Sequence, residues 1–78
     1  MTGDPVEVEA VWSADGWPQP ARVLWHGDLL AVIDVGRRWK DDDGIHLLAR
    51  LADGRVLELH TNGARWWGRT VSAPPGNV

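Results

Sequence analysis

Short apolar runs and turn signals alternate along the whole chain. Asp-Gly, Gly-Asp or Asn-Gly pairs stand at five places, namely 15–16, 27–28, 43–44, 53–54 and 62–63. They divide the chain into six runs of strand length, and no run shows the periodicity of an amphipathic helix. The pattern predicts an all-β fold, a single small SH3-like barrel of about six antiparallel strands connected as a meander.

The first run, 6–12, alternates between apolar and acidic residues. Because successive side chains of a strand point to opposite faces, its apolar residues are predicted to face the core and its acidic residues to face solvent. The apolar residues are Val6, Val8, Ala10 and Trp12, and the acidic ones are Glu7 and Glu9. Segment 17–20 contains two prolines, which have no N–H for a sheet ladder. It is therefore predicted to be an extended lead-in at a sheet edge.

The second and third runs, 21–26 and 29–35, form a predicted hairpin. The favoured register has a three-residue loop at 26–28 and sets Trp25 opposite Leu29. The alternative is a two-residue loop that begins at Gly27, which shifts the register by one residue.

The favoured register also predicts the two faces of this hairpin. The inward residues are Ala21, Val23, Trp25, Ile33 and Val35. The outer face would carry Leu24, Leu30 and Val32, either beneath a covering layer or as an exposed apolar patch. Gly36 predicts a bulge or a barrel corner, and the acidic run 41–43 predicts a loop tip.

The fourth and fifth runs, 45–51 and 55–60, form a second predicted hairpin. Its loop has three residues, 52–54, with Gly54 at positive φ. This register pairs Leu47 with Leu59 on the core face, and His46 with His60 on the outer face.

The sixth run and the tail complete the chain. Run 65–72 contains Trp66 and Trp67, of which one faces inward, and the pattern leaves open which one. Residues 73–78 are predicted to be a flexible tail. The whole chain, 1–78, is predicted to be one domain that is ordered over about residues 5–72.

Composition limits the classes of function. The chain of 78 residues has six tryptophans and no cysteine, so it can form neither disulfides nor thiolate zinc sites. Its net charge of −3 gives no overall attraction to nucleic acid or to anionic membranes. Its N-terminus lacks a signal-peptide pattern, and no apolar run has membrane-spanning length, so a cytoplasmic protein is expected.

Several short motifs occur together in this sequence. They are Asp15-Gly16-x-Pro18, Pro20-x-Arg22-x-x-Trp25-x-Gly27, Val35-x-x-x-Trp39, Leu51-x-Asp53-Gly54-x-x-Leu57-Glu58-Leu59 and Arg65-Trp66. In these motifs, over about residues 5–71, the chain resembles a small uncharacterised bacterial domain family. Members of that family often occur beside, or fused to, error-prone Y-family DNA polymerase components.

The resemblance implies an accessory role linked to bacterial DNA repair, and it carries over no catalytic residue. In that family the position after the Trp-x-Gly motif is often basic, and an aromatic residue follows it. Here those two positions hold Asp28 and Leu29. This difference argues against direct contact with nucleic acid.

No arrangement of residues predicts catalysis. The sequence has no glycine-rich phosphate loop, nucleophile elbow or HExxH motif. His46 and His60 could share a metal ion, with Glu58 two residues along. A site with two ligands is weak, however, so neither a metal nor a cofactor is predicted. We expect a protein that is not an enzyme.

Clusters of tryptophan and basic residues predict a binding surface. The candidate residues are Trp17, Arg37, Arg38, Trp39, Lys40, Arg65, Trp66, Trp67 and Arg69. Small barrels bind peptides in aromatic grooves, which favours a non-catalytic accessory or protein-interaction module, with run 41–43 selecting basic partners. The alternative is a weak single-stranded nucleic-acid-binding domain that stacks bases on the same clusters, although the acidic run would repel phosphates. Self-association stays open.

Overall fold

Six antiparallel strands close into a barrel. The computed structural model describes residues 3–71, and its strands are β1 (Asp4–Trp12), β2 (Pro18–Trp25), β3 (Asp28–Asp41), β4 (Gly44–Leu51), β5 (Val56–Thr61) and β6 (Trp66–Thr70). Each strand pairs with the next, and β6 returns to β1 through residues 66–68 and 4–6. The predicted all-β, SH3-like meander barrel is confirmed. The predicted tail, 73–78, lies outside the described residues. Among residues 3–71, no helix is long and apolar enough to cross a membrane.

The β4–β5 hairpin supplies most of the core. Five of the seven buried apolar residues lie on it, and the full set is Val23, Trp25, Leu47, Ala49, Leu51, Leu57 and Leu59. The predicted register is confirmed, because Leu47 pairs with Leu59 and His46 pairs with His60. Gly54 completes the turn at a φ of 95°, as expected for this loop.

The β2–β3 turn differs from both predicted registers. Trp25 pairs with Asp28, so the loop consists of two residues, His26 and Gly27. Their φ angles are 49° and 88°, as in a type I′ turn. The twist of that turn matches the right-handed twist of the flanking strands, which is the reason it is preferred in two-residue hairpins.

This shift of register exchanges the two faces of the first half of β3. Leu30 and Val32, predicted to lie outside, pack against the core. Ile33, predicted to lie inside, is 59% exposed. Val35 packs against the core as predicted, because a bulge between Val32 and Asp34 adds one residue and restores the alternation.

Ala21 and Trp12, both predicted to face the core, are exposed. The register shifts between Glu9 and Ala10, which leaves Ala21 of β2 without a partner. Ala21 is therefore exposed rather than part of the core. Trp12 is 46% exposed instead of facing the core, because β6 pairs with β1 only over residues 4–6 and does not cover its far end.

The predicted lead-in at 17–20 is largely the first part of β2. Pro18 and Pro20 are buried and pair with β1. The β2–β3 ladder begins at Arg22, so the prolines lie where β2 has one neighbouring strand. The prediction of an extended edge segment is correct, since an edge position needs no N–H from proline.

β3 does not end at Gly36. A second register shift, between Val35 and Arg38, confirms the predicted bulge, yet the strand continues to Asp41. Residues 37–40 therefore alternate between the two faces of the sheet and cannot act as one cluster. Asp42 and Asp43 form the turn at the predicted loop tip.

β6 shows which tryptophan faces inward. Trp66 packs against the core, and Trp67 lies on the outer face, where it stacks on His60. Gly68 follows in regular register with Leu59 in the β5–β6 ladder.

Candidate interaction surfaces

The nine predicted binding residues do not form one surface. Trp66 belongs to the barrel interior, and Arg65 lies exposed beside a cleft of about 460 Å³ between β1 and β6. The members on the outer face of β3 to β6 are Arg37, Trp39, Trp67 and Arg69. The members at one end of the barrel are Trp17, Arg38 and Lys40. The predicted surface is thus divided between two places.

Four rings cross the outer face of β3, β4, β5 and β6 in one stack, which we call the aromatic ladder. In order, its members are Trp39, His46, His60 and Trp67. Their ring centroids are 5.1, 4.4 and 5.1 Å apart, and neighbouring planes differ by 5°, 4° and 28°. The stack forms because the strand register sets each ring directly opposite the next. The sequence predicted its central pair, His46 and His60.

His46, which is 7% exposed, lies between two carboxylates. Its Nε2 is 2.9 Å from Oδ2 of Asp41, and its Nδ1 is 3.4 Å from Oε2 of Glu58. The angles of both contacts depart from those of a good hydrogen bond. The contact with His46 is the largest cause that holds the pKa of Asp41 below its ordinary value of 3.8.

His60 contacts the backbone of the β3–β4 loop. Its Nε2 is 2.8 Å from the carbonyl oxygen of Asp43, so Nε2 carries the proton and donates it. His46 and His60 together fasten the β3–β4 loop to the ladder. Asp41 is thereby engaged within the protein, whereas Asp42 and the side chain of Asp43 remain exposed.

The ladder geometry suits packing better than binding a metal or bases. Parallel imidazoles direct their lone pairs side by side and not toward a common point, and no three potential ligands cluster within residues 3–71. Arg37 lies 5.1 Å above the Trp39 ring, and Arg69 is held by Glu58 at 2.7 Å. Most of the stacking surface and both neighbouring cations are therefore already in use.

The end of the barrel near the β1–β2 loop carries a second aromatic site. Arg38 Cζ lies 4.8 Å, and Lys40 Nζ 4.9 Å, from the centroid of the Trp17 ring. Two cations over one indole are held by the negative potential of the ring face. Neither cation forms an ion pair with a carboxylate in the described part of the chain.

The outer face of β1, β2 and the first half of β3 carries six apolar side chains. We call it the β1–β3 apolar face, and its members are Val11, Ala21, Leu24, Leu29, Ala31 and Ile33. Val11, Leu29 and Ile33 are 70%, 65% and 59% exposed. An exposed apolar patch was one of the two predictions for the outer side of this hairpin. The two-residue turn replaces the predicted Leu30 and Val32 by Leu29 and Ile33.

Charged residues cross and border the β1–β3 apolar face. Arg22 Nε donates to Oε1 of Glu9 at 2.6 Å, so these two charges neutralise each other. Glu7 stands beside Leu24 in register, and Asp34 follows Ile33. Arg50, opposite Asp34, is the other cation nearby. The face and its border together hold three carboxylates and two arginines, and their net charge is negative.

Comparisons with protein-family models, curated proteins and solved structures found no match. The family resemblance of the sequence therefore stays a prediction. Sequence reasoning gave an exposed apolar patch on this hairpin as one of two alternatives, but it missed Leu29 and Ile33 as members. The signal that could have found them is the His26-Gly27 pair, because a two-residue turn there turns both side chains outward.

Proposed function

We propose that this barrel is a non-catalytic protein-interaction module that binds a partner protein on the β1–β3 apolar face. The exposure of Leu29 and Ile33 is the observation that carries the proposal. Leu29 and Ile33 lie on the same strand with Ala31 between them, and exposed apolar side chains grouped on one face mark interaction sites. Complete burial of one of these side chains by a partner contributes about 1.5–3 kcal/mol.

The charges around the face define the chemistry of the partner. Glu7 and Asp34 stand at two borders of the patch, while Glu9 and Arg22 satisfy each other within it. A partner segment with alternating aliphatic residues flanked by Lys or Arg complements this arrangement. A second copy of this chain carries the same net charge of −3, which disfavours self-association.

The resemblance to domains found near error-prone polymerases supports a cytoplasmic accessory role in bacterial DNA repair. The partner would then be a protein of that assembly. Such a role needs a stable scaffold with one open face and no reacting group. The β1–β3 apolar face meets this requirement, since its central charged pair, Glu9 and Arg22, is internally satisfied.

The test uses synthetic peptides and amide NMR shifts. One set alternates Leu or Val with Lys or Arg, and a matched set carries Asp or Glu in place of the basic residues. We expect the basic set to shift the amides of residues 29–33. Leu29→Ser combined with Ile33→Ser should weaken binding at least tenfold, because about 1.4 kcal/mol of contact energy corresponds to that factor.

The control combines Leu29→Met with Ile33→Val, which keeps both positions apolar and should retain binding. Both double variants should unfold at nearly the same denaturant concentration as the wild type, because substitutions at exposed positions change stability by only about 0.5 kcal/mol. The proposal is wrong if neither peptide set shifts these amides, or if the serine pair binds as the wild type does. Concentration-dependent dimerisation that the serine pair abolishes would identify a second copy as the occupant instead.

A further inference from the structure

The site of Trp17, Arg38 and Lys40 lies apart from the β1–β3 apolar face and has no role in the function proposed above. Arg38 and Lys40 stand opposite Leu47 and Ile45 in register, positions that point inward along β4. Both cations are nevertheless exposed. They leave the barrel at its end and lie against the Trp17 ring.

Two cations and one carboxylate stand at this site, because Oδ1 of Asp15 accepts the backbone N–H of Trp17 at 3.0 Å. The site is therefore net positive although the chain as a whole is acidic. Three other arginines are engaged by carboxylates, and these are Arg22, Arg55 and Arg69. Arg38 and Lys40 have no such partner among residues 3–71. Asp41, the nearest acidic residue in sequence, points to the opposite face of β3, where it contacts His46. The repulsion that the sequence predicted from the acidic run is therefore reduced on this side.

A groove begins at Arg38, one of these two cations. It has a volume of about 350 Å³ and is lined by Pro18, Gln19, Pro20, Val35, Gly36 and Arg38. It lies where the ladders leave the first part of β2 unpaired with the second half of β3. Its size is within the range of sites for single small ligands and is far too small for a duplex.

We propose that Trp17, Arg38 and Lys40 bind single-stranded nucleic acid, with the two cations turning from the indole to phosphates and a base taking their place on the Trp17 ring. Planar groups beside unpaired cations are the combination that sequence-tolerant single-strand binding uses. An acidic peptide would use the two cations but would gain nothing from the planar groups. The observations therefore favour the nucleic acid.

Two phosphate contacts define the expected salt dependence. For single strands, the slope of log K against log salt is about −0.7 for each neutralised phosphate, or about −1.4 for two. Binding should therefore weaken about sevenfold between about 50 mM and about 200 mM salt. A steeper slope would require more cations than this site holds.

The experiment titrates oligothymidylate of about eight nucleotides into the labelled protein and follows amide and indole N–H resonances. We expect shifts at the Trp17 indole and at the amides of Arg38 and Lys40. Arg38→Gln combined with Lys40→Gln should abolish them. The matched control, Arg50→Gln combined with Arg55→Gln, removes the same charge elsewhere and should keep them.

Parallel titrations with polyglutamate and with inorganic phosphate separate the other possible ligands. The inference fails if polyglutamate binds as tightly as the oligonucleotide, which would make this an acidic-peptide site. It also fails if phosphate alone binds as tightly, or if both double variants lose binding equally. Shifts confined to the aromatic ladder would move the site to another face and overturn the assignment.

Discussion

At the scale of single residues, Gly68 shows how a missing side chain shapes the core. A Cβ at this position would lie 3.2 Å from Cζ3 of Trp25, 3.3 Å from Leu59 and 3.4 Å from Val6. The indole of Trp25, which is 3% exposed, thus fills the space over β6. Trp66 and Gly68 share the inner face of β6, so a large and an absent side chain alternate there.

Gly68→Ala should destabilise the barrel by about 1–2 kcal/mol, because the added methyl group forces Trp25 or its neighbours to move in a close-packed interior. Gly68→Val should cost more, since it adds two further methyl groups. Urea unfolding followed by tryptophan fluorescence measures both. A Gly68→Ala variant as stable as the wild type would show that Trp25 has room to move.

Asp41 and His46 give the fold a dependence on pH. The pKa of Asp41 is lower in the folded protein than its ordinary value, mainly through His46. The contact therefore stabilises the fold above that ordinary value and is lost as the pH falls through the lowered pKa. Between about pH 5 and about pH 2, the unfolding free energy of the wild type should fall more steeply than that of Asp41→Asn.

Asp42→Asn is the control for this comparison, since it removes a neighbouring charge that does not contact His46. It should follow the wild-type pH profile, as measured by urea unfolding at each pH. Identical profiles for Asp41→Asn and the wild type would mean that the contact contributes nothing in solution.

At the scale of elements, the β2–β3 turn decides which residues face water. Its two residues, His26 and Gly27, both have positive φ, and the turn sets Trp25 opposite Asp28. A one-residue change in the loop would move every side chain of the first half of β3 to the other face. The β1–β3 apolar face therefore depends on a turn of two residues.

Gly27→Ala tests that turn without steric interference, because no atom lies within 4 Å of the position a Cβ would take. The φ of 88° is unfavourable for alanine, so the substitution should cost about 1 kcal/mol. Gly36→Ala is the control, since its φ is not positive and its Cβ would make ordinary contacts. Thermal and urea unfolding measure both, and equal stabilities would argue against the type I′ turn.

At the scale of the whole molecule, closure of the barrel separates three chemically different surfaces. The outer face of β3 to β6 carries the aromatic ladder, in which rings and charges are satisfied by one another. The outer face of β1 to β3 is apolar with a negative border, and one end of the barrel holds two unpaired cations over Trp17.

Substitutions at Leu29 and Ile33 should leave oligonucleotide binding intact, and those at Arg38 and Lys40 should leave peptide binding intact.

The sequence by itself determined the number and order of the strands and the register of the β4–β5 hairpin. These features depend on alternation within a run and on the Asp53-Gly54 turn, which are local. It also found the His46–His60 pair, which follows directly from that register. The Trp-and-basic clusters supplied residues of both aromatic sites, but alternation along β3 assigned Trp39 to one and Arg38 to the other.

Tertiary structure decided the features that depend on several strands at once. The bulges at Ala21 and Ile33 exist because strands of a closing barrel must bend, and each bulge reverses the faces that a regular strand would have. Trp66 faces inward, and Trp67 joins the ladder, because β6 must pair with both β5 and β1. The β1–β3 apolar face arose in the same way, since the turn and the bulges together expose Leu29 and Ile33.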